Sequence, residues 1–271
     1  MDLDSPWGEL LDTRLRVMTW NLWWRFGPFE QRQPLIAATL RRVDPDIVCL
    51  QEVWEEQAAA LADELGYQHV YASRFERSEG FQFGNAVLSR WPVLRSEWRP
   101  LPAPENHDEL RTVVFAELDG PRGPVQVFCT HLNWRFDHSH IRQEQVALVS
   151  QFVADTRPRT FPPVVCGDLN ADPQSDEIRM MTGRAATPVE GLSFHDAWEV
   201  GGDGGLGATW SNANPFAALA LEPDRRIDYV LVGWPKQGGA GHVTACRVEG
   251  TDIEGRITPS DHYAVVAELR Y

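Results

Sequence analysis

The sequence predicts an α/β protein in which two β-sheets pack together and helices cover them. Short apolar runs of strand-like composition recur along the whole chain, giving about ten expected strands. About three or four segments with helical spacing lie between some of these runs, and other runs are joined directly as hairpins. No repeat, low-complexity linker or break in composition divides the 271 residues, which favours one domain over residues 14–271 after an N-terminal arm at 1–13.

Helices are predicted where apolar residues recur at helical spacing, and several have recognisable ends. Asp44-Pro45 stops the first helix because a residue before proline avoids helical angles. Gly66 ends the second as a C-terminal cap. The predicted helices are 29–42, 55–65, 139–154 and a short one at 174–182.

Strands are predicted where short apolar or alternating runs are bounded by turn residues. The Asp119–Gly123 segment has hairpin chemistry, whereas 100–110 and the Gly-, Ala- and Asn-rich 199–222 are expected to be loops. The predicted strands are 14–20, 46–50, 67–72, 81–89, 112–118, 125–132, 164–166, 226–234, 242–249 and 263–269.

The composition is ordinary for a globular protein, with 43% hydrophobic and 24% charged residues. No apolar run approaches the roughly 20 residues of a membrane span, and the acidic N-terminus lacks the pattern of a secretory signal. Cys49, Cys129, Cys166 and Cys246 lie in apolar runs without a CxxC pair. We therefore expect reduced thiols in a cytoplasmic protein.

The net charge of −14 bears on the choice of partner. Tight, non-specific binding to long nucleic acid depends largely on Lys and Arg neutralising phosphates, so this charge disfavours it. A local basic groove or a bound divalent cation would offset the mean charge. A phosphorylated small molecule or a phosphodiester is the expected partner.

One apolar segment, Val164 to Asn170, is expected to form a central buried strand that ends in polar side chains. Gly167 permits a turn or a close backbone approach. Asp168 and Asn170 are two residues apart and would face the same side in extended chain. The alternative is a strand followed by an ordinary Asp/Asn turn.

Other predicted strands also end in polar residues, and each has a structural interpretation. Asn21 would be a turn residue, Glu52 a charge at a helix start, and His131 a hydrogen-bonded core imidazole. Asp228 would pair with one of the two arginines before it, and 261–262 would form a solvated turn. Taken together, however, these side chains suit hydrolysis of a phosphate ester. Their Asn, Glu and Asp oxygens are ligands for a hard cation such as Mg²⁺, and the histidines supply positive charge or proton transfer. The set is Asn21, Glu52, His131, Asp168, Asn170, Asp228, Asp261 and His262.

Six short motifs that contain these residues occur in the order seen in the endonuclease/exonuclease/phosphatase superfamily, which the chain resembles over residues 19–262. This superfamily includes deoxyribonuclease-I-like nucleases, neutral sphingomyelinases and inositol polyphosphate 5-phosphatases. The resemblance implies a four-layer α/β/β/α sandwich, with two mixed, mainly antiparallel sheets packed face to face, and Mg²⁺-dependent phosphoester hydrolysis in which Mn²⁺ substitutes. The motifs are Thr19–Trp23, Leu50–Val53, Thr130–Leu132, Gly167–Asn170, Arg226–Tyr229 and Ser260–His262.

The resemblance also implies roles for the individual residues. Glu52 would be the principal metal ligand, and Asn21 and Asp261 would hold or orient the metal site. Asp168 would position or deprotonate the attacking water. Asn170 and His131 would contact the substrate phosphate. His262 would contact it too or act in proton transfer, with Asp228 orienting its ring.

Two departures disfavour particular subfamilies. Trp23 stands where some abasic-site nucleases have an acidic residue, and 223–228 matches the fifth motif of inositol 5-phosphatases poorly. Further substrate contacts are predicted at Asn85, Arg111 and Arg135, the last to a non-scissile phosphate. Ordinary packing or surface roles are the alternative for these three.

The leading hypothesis is therefore a metal-dependent phosphoesterase acting on a small or lipid-type substrate. A nuclease is the alternative and predicts a basic rim, for which 73–80 and 134–142 supply only a few arginines. A phospholipase-C-like enzyme predicts an exposed apolar hairpin or loop, for which 214–221 is the candidate. A catalytically inactive binding module on the same fold is the rival from another class.

Overall fold

The computed structural model describes residues 6–73, 83–104, 110–156 and 160–271. Within these ranges lie twelve strands and five α-helices. The strands are β1 (Arg14–Asn21), β2 (Ile47–Val53), β3 (Gln68–Ala72), β4 (Gly84–Ser89), β5 (Val93–Pro100), β6 (Thr112–Gly120), β7 (Gly123–His131), β8 (Val164–Asp168), β9 (Phe194–Asp196), β10 (Asp228–Gly233), β11 (Val243–Glu249) and β12 (Ala264–Arg270). The helices are α1 (Phe29–Val43), α2 (Glu55–Leu65), α3 (Ser139–Asp155), α4 (Asp176–Met181) and α5 (Ala197–Gly201).

The strands form two six-stranded sheets, in the orders β11-β12-β1-β2-β4-β3 and β5-β6-β7-β8-β10-β9. Each sheet has one parallel pair, β1 with β2 and β7 with β8, and antiparallel pairs elsewhere. Both sheets are therefore mixed and mainly antiparallel, which confirms the predicted class.

Three apolar clusters show how the layers stack. Val17 of β1 and Val127 of β7 belong to a cluster between the sheets. The next residue along β1, Met18, instead joins a cluster with residues of α1 and α2. Phe128 similarly packs with Phe152 of α3 on the outer face of the second sheet. Because both faces of each sheet are covered, the central strands are apolar throughout, and the order of layers is α/β/β/α.

The two parallel pairs place the polar strand ends together. Asn21 lies opposite Gln51 at the end of the first pair, and His131 lies opposite Asp168 at the end of the second. Asp228 begins β10 directly across from Asp168. Parallel strands end on the same edge of a sheet, so residues far apart in sequence converge there.

The structure differs from the sequence prediction at several elements. The strands β5 and β9 were not predicted, because β5 is a largely exposed strand at the sheet edge without apolar alternation and β9 has only three residues. The predicted loop at 199–222 is wrong in part: α5 ends inside it, and a 3-10 helix occupies Ala217–Ala220. Of the predicted strand at 81–89 and loop at 100–110, residues 81–82 and 105–109 lie outside the described residues.

The described part of the N-terminal arm contacts the domain through its backbone. Leu11 donates its N–H to Gly238 O, and Gly238 donates in turn to Trp7 O. Tyr271 donates to Thr13 O at the other end of the chain. Residues 1–5 are outside the described ranges, and the division into an arm and one domain stays a prediction. None of the helices within the described ranges has the length and apolar character needed to cross a bilayer.

Candidate functional site

Gly167 and Asp168 end β8 in a conformation that depends on glycine. Gly167 has φ +156°, and a Cβ atom there would lie 1.9 Å from Thr130 O. Only glycine therefore lets β7 and β8 approach so closely beside Asp168. Asn170 is left-handed (φ 50°) and donates its N–H to Asp168 Oδ1 at 2.9 Å. The chain is not extended through Asn170, so the prediction that strand alternation aligns it with Asp168 is wrong. An Asx turn, closed by the bond from Asn170 N–H to Asp168 Oδ1, brings the two residues together.

Glu52 reaches the cleft through an irregularity in β2. Its φ of 53° coincides with a register shift between Gln51 and Val53 in the pairing with β4. Such bulges re-aim side chains near functional sites. Asn21 Nδ2 then donates to Glu52 Oε1 at 3.1 Å and to Asp168 Oδ2 at 3.0 Å.

The Asn21 amide is fully engaged in this arrangement. Its Oδ1 accepts the Trp23 N–H at 2.9 Å while its Nδ2 binds the two carboxylates. Asn21 therefore orients Glu52 and Asp168, consistent with the orienting part of its predicted role. Its role at a metal stays a prediction.

Glu52 and Asp261 offer a site that suits a divalent cation. Burial and, to a smaller extent, the nearby Asp261 together raise the pKa of Glu52 to about 7. Burial likewise raises the pKa of Asp261 to about 6. Two neighbouring, buried carboxyl groups repel each other when ionised, and oxygen ligands of this kind are those that Mg²⁺ prefers. The residues present therefore fit the cation that the motifs imply.

His262 lies on one side of Asp168 and is held by an aspartate. Its Nδ1 is 2.9 Å from Asp228 Oδ2, and its Nε2 is 3.8 Å from Asp168 Oδ2. Burial alone would lower the pKa of His262, but Asp228 and Asp168 outweigh it and raise this pKa well above its usual value. One ligand-type atom from each of these three residues lies within 4.8 Å of the others, which defines a second carboxylate-histidine set.

Two structural interpretations from the sequence are wrong here. Asp228 pairs with neither preceding arginine, because Arg225 binds Asp172 and Arg226 binds Asp196. Asp261 and His262 are only 6% and 5% exposed, so they do not form a solvated turn.

His131 lies on the other side of Asp168 and has a cation beside it. Its Nδ1 is 2.8 Å from Arg111 Nη1, and its Nε2 is 3.3 Å from Asp168 Oδ2. Burial lowers the pKa of His131 well below its usual value, and Arg111 and His262 lower it further. Asn170 Nδ2 also approaches Nε2, at 3.1 Å.

Burial and, to a smaller extent, Asp228 together raise the pKa of Asp168 to about 6. The Asp168 carboxylate therefore remains able to accept a proton near neutral pH, as a group that activates water requires. The structure thus brings together all eight strand-end residues predicted from the sequence. Their individual catalytic and metal-binding roles stay predictions.

The three predicted substrate contacts lie in different surroundings. Asn85 is buried and donates to both the backbone and the side-chain oxygen of Thr112, which ties β4 to β6. Arg111 contacts His131, as described above. Arg135 is exposed and lies 5.0 Å from the Trp134 ring centre. As contacts to substrate, all three stay predictions.

Arg32 is a buried residue next to the site that the sequence reasoning missed. It is fully buried on α1 and donates to the carbonyl oxygens of five residues, and burial lowers its pKa to about 10. The acceptors are Leu22, Trp23, Trp24, Phe26 and Pro259. Arg32 therefore ties the segment after β1 to the segment before Asp261. The available signal was an arginine in helical register with the apolar residues Ile36, Leu40 and Val43.

Trp210 and Asn214 were also missed, because both lie in the segment predicted as a plain loop. Trp210 packs edge-on against the His262 ring, with 5.0 Å between ring centres. Asn214 is fully buried and donates its side-chain amide to Ser260 O and Asp261 O. Nothing in the local sequence distinguishes these residues from others in a Gly- and Asn-rich loop.

Exposed apolar side chains lie near the cleft on the side of Asn170. Arg225 Nη2 donates to Asn170 O at 3.4 Å, and the Arg225 guanidinium lies 4.6 Å from the Phe136 ring centre. Arg225 also approaches Glu222 at 3.8 Å, directly after Leu221. Exposed fractions are high here: 59% for Phe136, 53% for Trp134, 78% for Leu219 and 91% for Leu221. We call these four residues the apolar rim.

The predicted apolar loop at 214–221 reaches a second aromatic group. Phe216 packs against Trp23 with 4.8 Å between ring centres, and Trp23 and Trp24 both contact Phe26. The sequence had suggested arginines at 74 and 77 as part of a basic rim, but these positions lie outside the described residues.

Similar architectures occur in solved structures. A crystal structure of truncated Caenorhabditis elegans TDP2 superposes with a TM-score of 0.74 at 25% sequence identity, covering 97% of this chain and 99% of that one. An endonuclease/exonuclease/phosphatase family protein from Bacteroides thetaiotaomicron gives a TM-score of 0.76 at 20% identity, covering 95% of each chain. The second similarity supports the fold alone.

Curated relatives match parts of the chain. The uncharacterized protein YbhP of Escherichia coli K12 is 32% identical over 57% of this chain and 66% of its own length. A putative neutral sphingomyelinase of Drosophila melanogaster is 24% identical over 96% of this chain and 62% of its own length. Sphingomyelin phosphodiesterase 5 of Danio rerio is 31% identical over 54% of this chain and 32% of its own length. The matched regions thus span about two thirds or less of these relatives.

The whole cleft lies inside one family match. The profile of the Endonuclease/Exonuclease/phosphatase family matches residues 18–262, from the end of β1 to the histidine held by Asp228. The members of this family are hydrolases that act on phosphoesters. The match, the sandwich and the convergence of the strand ends lead to one conclusion: this chain belongs to the endonuclease/exonuclease/phosphatase family.

Proposed function

We propose that this protein is a Mg²⁺-dependent phosphodiesterase that cleaves the phosphodiester of an amphiphilic, lipid-type substrate, with Mn²⁺ able to replace Mg²⁺. The paired carboxyl groups of Glu52 and Asp261 support the cation, as argued above from their raised pKa values. The apolar rim near Asn170 is the observation that carries the choice of substrate. The net charge of −14 favours such a substrate over duplex DNA.

The proposed mechanism divides the reaction among the residues around Asp168. A cation held by Glu52 and Asp261 would stabilise negative charge on the phosphate. Asp168, held by Asn21, aligns water and accepts its proton as the water oxygen bonds to phosphorus. The P–O bond to the leaving group breaks in the same step, and the leaving oxygen takes a proton from solvent. His262 remains protonated beside Asp228 and stabilises the charge that develops on the phosphate oxygens.

Asn170 has an amide hydrogen available in addition to the one it uses internally. Its Nδ2 donates to Leu132 O at 3.1 Å, which leaves a second hydrogen on the same nitrogen. That hydrogen would donate to an oxygen of the phosphate. The left-handed backbone of Asn170 fixes this orientation relative to Asp168.

The apolar rim suits a substrate presented at a lipid surface. Leu219 and Leu221 project from the domain although each would gain roughly 1.5–3 kcal/mol from burial. The exposed Phe136 contacts Arg225, which lies 3.8 Å from Glu222, the residue after Leu221. Exposed apolar groups grouped beside a reaction cleft indicate binding to an apolar partner.

The experiment compares substrates that differ in presentation. Purified protein is assayed with Mg²⁺, or with EDTA, on sphingomyelin–phosphatidylcholine vesicles, on soluble bis(p-nitrophenyl) phosphate and on p-nitrophenyl phosphate. The test variant is Leu219→Ser/Leu221→Ser. The matched control is Leu94→Ser, which removes a leucine 51% exposed on β5.

We expect EDTA to abolish hydrolysis of both diesters and the double variant to lower vesicle hydrolysis by roughly tenfold or more, the factor that about 1.4 kcal/mol produces. Soluble diester hydrolysis should change by less than about twofold in the same variant, which isolates the surface effect. Leu94→Ser should match the wild type on every substrate. Equal losses on vesicles and on the soluble diester, or a clear preference for the monoester, would contradict the lipid-type assignment.

A nuclease is the second candidate, and one feature of the rim favours it. Trp134 and Phe136 flank Arg135, and exposed aromatics next to a cation are the usual platform for bases of single-stranded nucleic acid. Cleavage of a labelled single-stranded oligonucleotide that Trp134→Ala lowers, without vesicle hydrolysis, would establish this function instead. Absence of metal-dependent hydrolysis on every substrate would favour the inactive binding module.

A further inference from the structure

We infer that Arg111 is a positioning residue that fixes the tautomer of His131, so that His131 acts as a neutral Nε2–H donor in the cleft. This inference rests on the proposed phosphodiesterase function for its catalytic meaning, although its structural part stands without a substrate. Arg111 then acts on the substrate indirectly, through His131, and not by the direct phosphate contact predicted from the sequence. Arg111 immediately precedes β6, and His131 ends β7, the neighbouring strand.

The first step concerns the two atoms in contact. Arg111 Nη1 lies 2.8 Å from His131 Nδ1, and the residues are only 7% and 3% exposed. A guanidinium group has five N–H donors, no acceptor, and does not lose its proton in proteins. At this distance His131 Nδ1 must therefore be the acceptor.

The second step follows from the chemistry of imidazole. A neutral ring has one acceptor nitrogen and one N–H, so an acceptor at Nδ1 places the hydrogen on Nε2. Asp168 Oδ2 lies 3.3 Å from Nε2 and Glu52 Oε1 lies 4.0 Å away, so Nε2–H faces carboxylate oxygens. Nδ1 then accepts from Arg111, and the hydrogen on Nε2 lies near carboxylate oxygens.

The opposite tautomer has one apparent advantage, because Nε2 would then accept a hydrogen from Asn170 Nδ2 at 3.1 Å. It would, however, place Nδ1–H against the Arg111 guanidinium and lose a charge-assisted hydrogen bond in a buried site. Such bonds are roughly twice as strong as neutral ones, and two donors facing each other in a buried site are costly. Arg111 therefore decides the tautomer.

The tautomer has a consequence for the substrate. His131 Nε2 and Asn170 Nδ2 become two donor nitrogens 3.1 Å apart, and Asn170 uses only one of its two amide hydrogens on Leu132 O. Two N–H groups at this spacing are able to converge on a single oxyanion, the arrangement that stabilises charge developing in a transition state. Without Arg111 the ring would be free to turn a lone pair towards this position.

The first test reads the tautomer directly by NMR of protein labelled with ¹⁵N-histidine, in metal-free buffer, with His131→Gln used for assignment. We expect the wild type to show a protonated Nε2 and an unprotonated Nδ1. Arg111→Lys, which keeps a cationic donor, should retain this pattern. Arg111→Met should give a mixture, and Arg111→Glu should move the hydrogen to Nδ1.

A wild-type Nδ1–H signal for His131, or an Arg111→Met spectrum identical to the wild type, would overturn the inference. The wild-type spectrum and the conservative Arg111→Lys variant each test the inference. It therefore remains testable even if the other variants fail to fold. This measurement needs no substrate. If the wild type hydrolyses no substrate, the proposed function is wrong, but the NMR result still decides the inference separately.

The second test separates positioning from substrate binding on bis(p-nitrophenyl) phosphate. Arg111→Met should lower kcat by roughly tenfold with KM changed by less than about twofold, and Arg111→Lys should recover most of the loss. In a His131→Gln background, Arg111→Met should cause almost no further loss. A large rise in KM with unchanged kcat, or full additivity of the two substitutions, would identify Arg111 as a direct phosphate contact and overturn its positioning role.

Discussion

Two histidines near the same oxygen of Asp168 have opposite electrostatic surroundings. His262 and His131 are similarly buried, at 5% and 3% exposure, and their Nε2 atoms lie 3.8 Å and 3.3 Å from Asp168 Oδ2. Their Nδ1 atoms differ, because one contacts Asp228 and the other Arg111. The pKa of His262 is accordingly raised and that of His131 lowered, although burial lowers both.

Burial lowers the pKa of both rings, so the difference between them comes from the charges around them, above all from the partner at Nδ1. A negative partner stabilises imidazolium, whereas a positive partner requires a neutral ring that accepts at Nδ1. The cleft thus obtains one cationic and one neutral hydrogen-bond donor from two histidines. A phosphate anion would meet positive charge mainly on the His262 side.

The largest expected effect comes from removing Asp168 or the protonated His262 beside it. Asp168→Ala and His262→Ala should each lower turnover by roughly a thousandfold, because both remove groups that act in the transition state. Steady-state hydrolysis of bis(p-nitrophenyl) phosphate with Mg²⁺ measures this, and circular dichroism confirms folding. His140→Ala, at an exposed position of α3, is the matched control. Near-normal turnover in folded Asp168→Ala and His262→Ala would remove both residues from the mechanism.

A smaller effect should follow from changing only the partner of His262. Asp228→Asn removes a charge that raises the pKa of His262, so this pKa should fall. If protonated His262 is required, the alkaline limb of the pH–rate profile must move to lower pH, and activity at pH 8 should fall by roughly ten- to a hundredfold. The exposed Asp137→Asn serves as control. An unshifted alkaline limb would show that the two histidines do not differ in the way described.

The smallest effect concerns stability and the carboxyl groups that both histidines face. Burial and Asp261 raise the pKa of Glu52 from 4.5 to about 7, so the metal-free folded protein binds this proton more tightly than the unfolded chain. Its free energy of unfolding should therefore decrease as pH rises from about 4.5 to about 7, by roughly 1–3 kcal/mol. His262 contributes in the same direction, so the difference between wild type and Glu52→Gln isolates Glu52.

Urea denaturation in EDTA at pH 5 and pH 8 measures this difference. Glu52→Gln should show a smaller loss of stability between the two pH values, and Mg²⁺ should stabilise the wild type at pH 8. The exposed Glu56→Gln provides the control. If Glu52→Gln leaves the pH dependence of stability unchanged, Glu52 does not have the raised pKa described here.

Much of the fold was predictable because its signals are local. Apolar runs ending in polar residues located the central strands, and Gly66 marked the end of α2 in the left-handed conformation that glycine favours. The short strands β5 and β9 escaped prediction, since exposure or brevity removes the periodic pattern. Trp210 escaped notice because its contact with His262 joins segments distant in sequence, and the same holds for the bond of Arg32 to Pro259.

The sequence by itself determined which side chains are available for chemistry, and in which order along the chain. Only the tertiary structure decided how each of them behaves. His262 meets Asp228 from 34 residues away, and His131 meets Arg111 from 20 residues away. A pKa and a tautomer depend on burial and on the charge within a few ångströms, and those are set by the register of packed strands. Identical residues in similar strand-end motifs therefore acquire opposite roles.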